Sequence, residues 1–222
     1  MTKIGVVLSG CGFLDGAEIH EAVLTLLALD RAGAQAVCMA PRLTQRSVVD
    51  HATGKETAET RSVLAESARI ARGSVRALEE VRASELDGIV LPGGYGAAKN
   101  LCDFAWQGAQ AQVHPPLAAL LRELHAAQKP IGAWCIAPAV LAAVFRDQGL
   151  RLTIGCDPGT AAALQQMGAV PVTKAVTEAC VDERHRIVTV PAYMYDARIH
   201  EVARGIDEGV REVLRLAVLP RN

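Results

Sequence analysis

Aromatic residues are scarce in this chain of 222 residues: three Phe, two Trp and three Tyr make up 4% of it. Lys and Arg number 23 against 24 Asp and Glu, the formal net charge is −1, and the basic residues form no run. Nucleic-acid surfaces need clustered positive charge, and base-stacking platforms need aromatic side chains. The composition therefore predicts that nucleic acid is not a partner.

Signals for export or membrane insertion are also lacking. The opening MTKIGVVLSGCG has one lysine and an apolar run too short for a signal peptide or a membrane span, so we expect no membrane partner. The six cysteines include no Cys-x-x-Cys pair. In a chain of this length that usage favours reduced thiols over a disulfide framework. We expect a cytoplasmic location, with an organellar location of the mature form left open.

Hydrophobic residues, by contrast, make up 50% of the chain, enough for one large core. Short β-rich runs alternate with helical patterns and no linker or repeat separates them, so we predict a single domain over 1–222. The predicted strands are 3–9, 35–40, 87–92, 130–135 and 186–192, with shorter candidates near 75 and at 152–155. The predicted helices are 17–33, 57–73, 115–128 and 196–218, with another directly after Cys135. This alternation is typical of an α/β fold with a mostly parallel sheet covered by helices on both faces.

The segment IGAWCIAP (131–138) contains the strongest candidate for a reactive residue. It reads as a short buried strand that stops at Cys135 and gives way to a helix starting with PAVLAAVF. A cysteine at such a turn lies near free helix N–H groups and the positive end of the helix dipole, which favour thiolate over thiol. The alternative is that Cys135 is a small buried apolar residue, the commonest fate of a free cysteine.

The loop LPGGYGAAKN follows strand 87–92 and is expected at the same sheet edge. Gly93 and Gly94 allow backbone N–H groups to approach a ligand, and a second N–H can come from Ile136. Two donors beside a nucleophile would form an oxyanion hole; the alternative is a simple tight turn. The spacing fits neither a phosphate loop nor a dinucleotide-binding loop, so we expect no cofactor.

Two glutamates follow the first strand, in the helix that opens AEIHE. For Glu18 a solvated carboxylate near a helix N-terminus is the preferred interpretation, whereas Glu21, in an apolar helix, is expected to be buried. His20 is expected to point away from a site that Glu21 faces. Since no His-x-His, His-Glu-x-x-His or Cys/His cluster occurs, we expect no metal.

Taken together, SGCGFLDGAEIHEAVLTLLALDRAGA, LPGGYGAAKNL, the cysteine turn, RLTIGCD and TVPAYM resemble the ElbB-type proteins. These are also called enhancing-lycopene-biosynthesis or sigma cross-reacting proteins, and they belong to the class I glutamine amidotransferase-like superfamily with PfpI. The resemblance runs from about residue 2 to 217.

The resemblance implies a flavodoxin-like three-layer sandwich with Cys135 at a nucleophile elbow. It implies that Glu21 hydrogen-bonds this cysteine and that Gly94 and Ile136 supply the oxyanion donors. It also implies a cofactor-independent glyoxalase acting on glyoxal or methylglyoxal, with a related deglycase activity, a link to isoprenoid biosynthesis, and a homodimer.

The chain departs from the wider superfamily in one respect. Where many members have a histidine about 20 residues after the cysteine, this chain reads LTIGCDPG and offers Cys156 and Asp157 instead. A glutaminase, which needs a Cys–His pair, is therefore disfavoured. Activation of Cys135 is expected from the helix dipole and Glu21, with Asp157 and Glu18 as possible auxiliaries. Two hypotheses remain: the glyoxalase, and a non-enzymatic role as a redox-sensing or accessory protein with an oxidisable Cys135.

Overall fold

The computed structural model describes residues 1–220, which form eleven strands and seven α-helices besides shorter helical turns. The strands are β1 (Lys3–Val7), β2 (Gln35–Ala40), β3 (Val48–Asp50), β4 (Lys55–Thr57), β5 (Arg76–Ala77), β6 (Gly88–Leu91), β7 (Ile131–Trp134), β8 (Arg151–Leu152), β9 (Val170–Pro171), β10 (Cys180–Asp182) and β11 (Ile187–Val190). The helices are α1 (Ile19–Arg31), α2 (Val63–Ile70), α3 (Phe104–Gln107), α4 (Pro115–Ala126), α5 (Pro138–Val144), α6 (Pro158–Gln166) and α7 (Ile199–Val218).

Seven strands form one sheet in the order β10-β11-β7-β6-β1-β2-β5. Strand pairs from β11 across to β5 are parallel, and β10 joins antiparallel at one edge. The central strands are continuous apolar runs, as expected for strands with both faces covered. The carboxyl ends of β1, β6, β7 and β11 meet at one edge of the sheet, where ligands collect in open α/β folds.

Neighbouring residues of one strand enter two separate hydrophobic clusters. Ile89 and Ala133 pack with α4 and α5 on one face, whereas Val90 and Trp134 pack with α1 and α7 on the other. The period-two alternation of a strand thus supplies both layers. The three-layer, flavodoxin-like arrangement predicted for the chain is confirmed.

The predicted helix 57–73 is wrong in its first part. Lys55–Thr57 pairs with Val48–Asp50 as a β-hairpin, and α2 begins only at Val63, where the Ser62 hydroxyl caps it by accepting from the Ala65 N–H at 3.3 Å. A polar segment at a helix start cannot be distinguished by periodicity from a short exposed hairpin.

Two other predicted elements are shorter than expected. The helix after Cys135 ends at Val144, and Asp147 then takes a left-handed φ of 60°. The candidate strand 152–155 contributes only its first residue to β8, which pairs with β9 in a small separate sheet. Gly155 has a φ of 73° and turns that chain toward the site.

The strand that leads to Cys135 is tied to α1 by a buried hydrogen bond. The indole N–H of Trp134 donates to the Thr25 hydroxyl at 3.0 Å, and that hydroxyl donates to the Glu21 carbonyl at 2.7 Å. Both side chains are fully buried. The bond fixes α1, which carries Glu21, against the end of β7.

Candidate active site

Cys135 occupies a sharp turn between β7 and α5. Its φ is 57°, a left-handed value that a residue with a Cβ rarely adopts. The conformation is held by its own N–H, which donates to Val190 at 2.9 Å, and by the Ala137 N–H, which donates to the Trp134 carbonyl at 2.9 Å. Strain of this kind is concentrated at functional sites. The predicted strand-to-helix elbow is therefore present.

Two backbone donors meet at the Cys135 sulfur. The N–H groups of Gly94 and Ile136 both hydrogen-bond it, so the two donors predicted to form an oxyanion hole do converge there. Gly94 has a φ of 89°, and a Cβ on it would lie 2.4 Å from the backbone nitrogen of Glu18. Only glycine allows this approach.

The carboxyl group of Glu21 lies beside the same sulfur and is completely buried. One oxygen, Oε2, accepts from the Gly93 N–H at 2.8 Å, and Oε1 accepts from the Tyr193 N–H at 3.3 Å. The carboxyl is also hydrogen-bonded to Cys135. Burial, and next the nearby carboxylate of Glu18, raise the pKa of Glu21 to about 8. The buried role expected for this residue is confirmed.

The expectation that the helix dipole makes Cys135 a thiolate is wrong. Burial, followed by the negative charge of Glu21, raises the pKa of the Cys135 thiol well above its usual value. The N–H groups of Gly94 and Ile136 act in the opposite direction but are outweighed. Only 8% of the residue is exposed, and α5 begins three residues further on, at Pro138. Free cysteine at this site is held as a thiol.

Gly93 allows the cysteine and the glutamate to meet. A Cβ on Gly93 would lie 2.5 Å from the Cβ of Cys135 and 2.8 Å from Oε2 of Glu21. Distances this short do not occur between real atoms of these kinds, so a side chain at this position would separate the two groups.

A cavity of about 510 Å³ opens above Cys135. Its walls are mostly apolar and aromatic, and they also include the carboxylates of Glu18 and Asp157. The lining consists of Phe13, Glu18, Gly94, Tyr95, Ala98, Phe104, Ala105, Cys135, Ile136, Asp157, Thr160, Tyr193 and Met194. The wall residues within the described chain thus include no Lys, Arg or His.

The two auxiliary carboxylates are occupied as helix caps. Glu18, expected as a solvated carboxylate near a helix N-terminus, is part-buried and accepts from the Glu21 N–H at 2.7 Å at the start of α1. Asp157 accepts from the Thr160 N–H at 2.7 Å at the start of α6, which lowers its pKa. Both line the cavity, so an auxiliary role for either stays a prediction.

Sequence reasoning missed one pair at the site. The Nδ1 atom of His20 lies 2.9 Å from the hydroxyl of Tyr193, in the loop after β11. His20 does not itself line the cavity above Cys135, so its contact with the site is indirect, through Tyr193. The histidine that contacts the loop after β11 comes from α1.

Among residues 1–220, no group of three or more His, Cys, Asp or Glu side chains is placed to hold a metal ion. Over the same stretch, no helix has the length and hydropathy to cross a membrane. All six cysteines are free, with Cys156 the exposed one.

The sequence model of the DJ-1/PfpI family matches residues 11–192. A rat protein named "ES1 protein homolog, mitochondrial" is 43% identical over 96% of this chain and 84% of its own length. Human "glutamine amidotransferase-like class 1 domain-containing protein 3, mitochondrial" is also 43% identical, over 96% of this chain and 83% of its own.

Solved structures agree with these matches. A crystal structure titled as an isoprenoid biosynthesis protein with an amidotransferase-like domain, from Ehrlichia chaffeensis, superposes with a TM-score of 0.91. It is 38% identical and covers 97% of this chain and 99% of that chain. DJ-1beta from Drosophila melanogaster shares the fold, with a TM-score of 0.53 at 21% identity over 97% of this chain and 95% of its own.

The predicted cytoplasmic location is contradicted by these relatives, which are named mitochondrial proteins. Cysteine usage failed as a guide for a physical reason: free thiols show only that a compartment is reducing, and they do not distinguish one reducing compartment from another.

Proposed function

The chain belongs to the DJ-1/PfpI family, and on this basis we propose that it is a cofactor-independent glyoxalase. In this proposal it converts glyoxal to glycolate and methylglyoxal to lactate through Cys135, and deglycation of glycated amines or thiols is a related activity. The names of the relatives lead us to propose a mitochondrial place of action.

One observation carries the proposal: a buried carboxyl with a pKa of about 8 is hydrogen-bonded to a thiol that lies between two N–H donors. A general base works best when its pKa is near the operating pH. Glu21 meets that condition, and it already hydrogen-bonds the Cys135 thiol whose proton it would accept. The thiol therefore needs no histidine to lose its proton when a substrate arrives.

In the first step the Cys135 sulfur attacks one aldehyde carbon of the dicarbonyl. An S–C bond forms, the C=O π bond breaks, and the thiol proton passes to the carboxylate of Glu21. The N–H groups of Gly94 and Ile136 stabilise the developing oxyanion. Glu21 then returns the proton to that oxygen, which gives a neutral hemithioacetal.

In the second step Glu21 removes the hydrogen on the attacked carbon and delivers it to the neighbouring carbon. The attacked carbon is oxidised to a thioester and its neighbour is reduced to an alcohol, so no external oxidant or reductant is needed. Water then cleaves the S–C bond of the thioester. The hydroxy acid leaves and the thiol is restored.

The cavity walls favour a small uncharged substrate. The described lining of the cavity includes the carboxylates of Glu18 and Asp157 and no basic side chain. An anionic substrate would be repelled, whereas an uncharged dicarbonyl would not. The same carboxylates would repel the anionic product and speed its release.

The test is an assay of purified wild-type, Cys135→Ser and Glu21→Gln proteins with glyoxal and methylglyoxal, with the hydroxy acid followed by proton NMR. Cys156→Ser is the matched control, because it removes the exposed cysteine outside the lining. We expect product from wild type and control only. Product formation by Cys135→Ser would overturn the mechanism.

A redox-sensing role is the second candidate, favoured by the same two N–H donors. A sulfinate on Cys135 would place its oxygens where the Gly94 and Ile136 N–H groups point. The raised pKa of the thiol opposes rapid oxidation. Intact mass after peroxide treatment separates the two roles: a selective gain of two oxygens at Cys135, together with no glyoxal turnover, would support the sensor.

A further inference from the structure

The strand next to β7 ends in a second strained turn. β11 lies parallel to β7 with Val190 opposite Trp134, and Ala192, just past its end, has a φ of 45°. Cys135 and Ala192 are thus two left-handed, non-glycine residues that end adjacent parallel strands at the same edge. Ala192 is fully buried. A position of this kind is kept only where the surroundings determine it.

Tyr193 follows the strained turn, and both its backbone and its side chain contribute to the site. The Tyr193 N–H donates to Oε1 of Glu21 at 3.3 Å, and its side chain lines the cavity above Cys135. Burial first, and then the carboxylates of Glu18 and Glu21, raise the pKa of the Tyr193 phenol. The hydroxyl therefore keeps its proton at neutral pH and is available as a donor.

The Tyr193 hydroxyl is in hydrogen-bond contact with His20 at the protein surface. Nδ1 of His20 lies 2.9 Å from the hydroxyl oxygen, and the two rings are 5.8 Å apart between centroids. His20 itself is exposed. When Nδ1 carries the hydrogen, His20 donates to the Tyr193 oxygen, and the phenolic proton is directed to another acceptor.

The proposed reaction needs such a donor. Glu21 moves the hydrogen between the two carbons, but the carbonyl oxygen on the second carbon must also gain a proton for that carbon to become an alcohol. The N–H groups of Gly94 and Ile136 hydrogen-bond the oxygen on the first carbon. No other group assigned so far supplies a proton to the second oxygen.

We propose that Tyr193 is the acid that protonates the second carbonyl oxygen, and that His20 is a positioning residue that resupplies its proton from solvent. This inference rests on the proposed glyoxalase function. The phenolic O–H bond breaks as the new O–H bond forms, and His20 passes its Nδ1 proton to the phenolate while its Nε2 takes a proton from water. The first oxygen loses its proton to water as the thioester forms, so the step remains an isomerisation.

The test compares Tyr193→Phe and His20→Ala with wild type in glyoxal turnover. Tyr193→Phe removes the proposed acid, so we expect kcat to fall about 100-fold. The variant keeps the backbone N–H that donates to Glu21, so KM should change less than about threefold. His20→Ala is expected to lower kcat about tenfold, and added imidazole should restore part of the loss because the position is exposed. Rescue by imidazole would not occur if His20 only supported the fold.

Two matched control variants remove a tyrosine hydroxyl and a histidine ring at positions outside the cavity lining. Tyr195→Phe loses a hydroxyl that donates to the Lys174 carbonyl at 2.8 Å, and His200→Ala loses an exposed histidine of α7; both are expected to keep wild-type kcat. Thermal melting of all four variants separates misfolding from a loss of chemistry.

The outcomes distinguish this inference from the proposed function. Wild-type turnover with an unchanged Tyr193→Phe variant would overturn the inference alone. Wild-type protein that neither forms hydroxy acid nor exchanges substrate hydrogen with deuterated water would overturn the glyoxalase proposal and the inference with it. A low kcat in Tyr193→Phe, with Cys135 still modified by glyoxal at the wild-type rate in mass spectra, would support both.

Discussion

A buried hydrogen bond joins the carboxyl group of Glu21, on α1, to the thiol of Cys135, at the end of β7. The two residues are far apart in the chain and come from elements that are adjacent only in the folded sheet. Burial disfavours a charge on either group. Deprotonation of one group is therefore coupled to deprotonation of the other.

The activity is expected to depend on pH through Glu21. As a general base Glu21 must be ionised, and its pKa is about 8, so kcat/KM should rise as pH increases toward 8 and level off above it. Glu21→Gln should remove this rise and lower kcat by about 100-fold or more. Glyoxal turnover from pH 5 to 9 measures both effects, and a flat wild-type profile would contradict the assignment.

The free energy of unfolding is expected to fall as pH rises, whereas the activity is expected to increase. The pKa of Glu21 is raised in the folded state, so the folded protein binds its proton more tightly than the unfolded chain does. The protonated Glu21 therefore stabilises the folded state. This stabilisation is complete below about pH 4.5, the ordinary pKa of a glutamate, and is lost as pH rises through about 8. The loss amounts to several kcal/mol, at about 1.4 kcal/mol for each pH unit between the two values.

The measurement is urea unfolding of wild type and Glu21→Gln at a series of pH values. Because glutamine carries no charge, its free energy of unfolding should change less between pH 5 and 8 than that of wild type. Parallel curves for the two proteins would show that Glu21 does not titrate in this range.

Gly93→Ala is expected to separate Glu21 from Cys135. The added Cβ would lie 2.5 Å from Cys135 and 2.8 Å from Glu21, so we expect a loss of about 1–3 kcal/mol in unfolding free energy and loss of turnover. Gly159→Ala is the control: its Cβ would meet only Asp157, at 3.7 Å, and alanine favours the helix there. Equal effects of the two changes would contradict the steric argument.

Thr25→Val is expected to destabilise the fold by about 1–3 kcal/mol, because the buried Trp134 N–H would lose its acceptor at 3.0 Å. Thr25→Ser keeps the hydroxyl and should retain most of the stability. Chemical denaturation followed by tryptophan fluorescence reports the difference. A valine variant as stable as the serine variant would show that this hydrogen bond contributes little.

The homodimer expected from the family resemblance stays a prediction, and α1 offers a way to test it. Ile19, Val23 and Leu27 form an exposed apolar row on this helix. If a dimer buries that row, Val23→Glu should shift the mass measured by light scattering toward the monomer. Val218→Glu, at an exposed apolar residue of α7, serves as control. A monomeric wild type would contradict the dimer itself.

Most of the strands and helices could be predicted from local sequence patterns. The apolar runs that became β1, β2, β6, β7 and β11 were recognised because strands buried on both faces are apolar throughout. Helix α4 was recognised from its period and its N-terminal proline. The hairpin of β3 and β4 was missed, because short exposed strands leave little periodic signal.

The sequence by itself determined the α/β class, the family and the choice of Cys135 as candidate nucleophile, since these depend on local periodicity and on motifs that are contiguous in the chain. Only the tertiary structure decided the chemistry of that cysteine. The helix dipole favours a thiolate, but burial and the carboxyl of Glu21 outweigh it, and both depend on contacts between distant segments. The same contacts bring His20 to Tyr193, which no spacing along the chain could show.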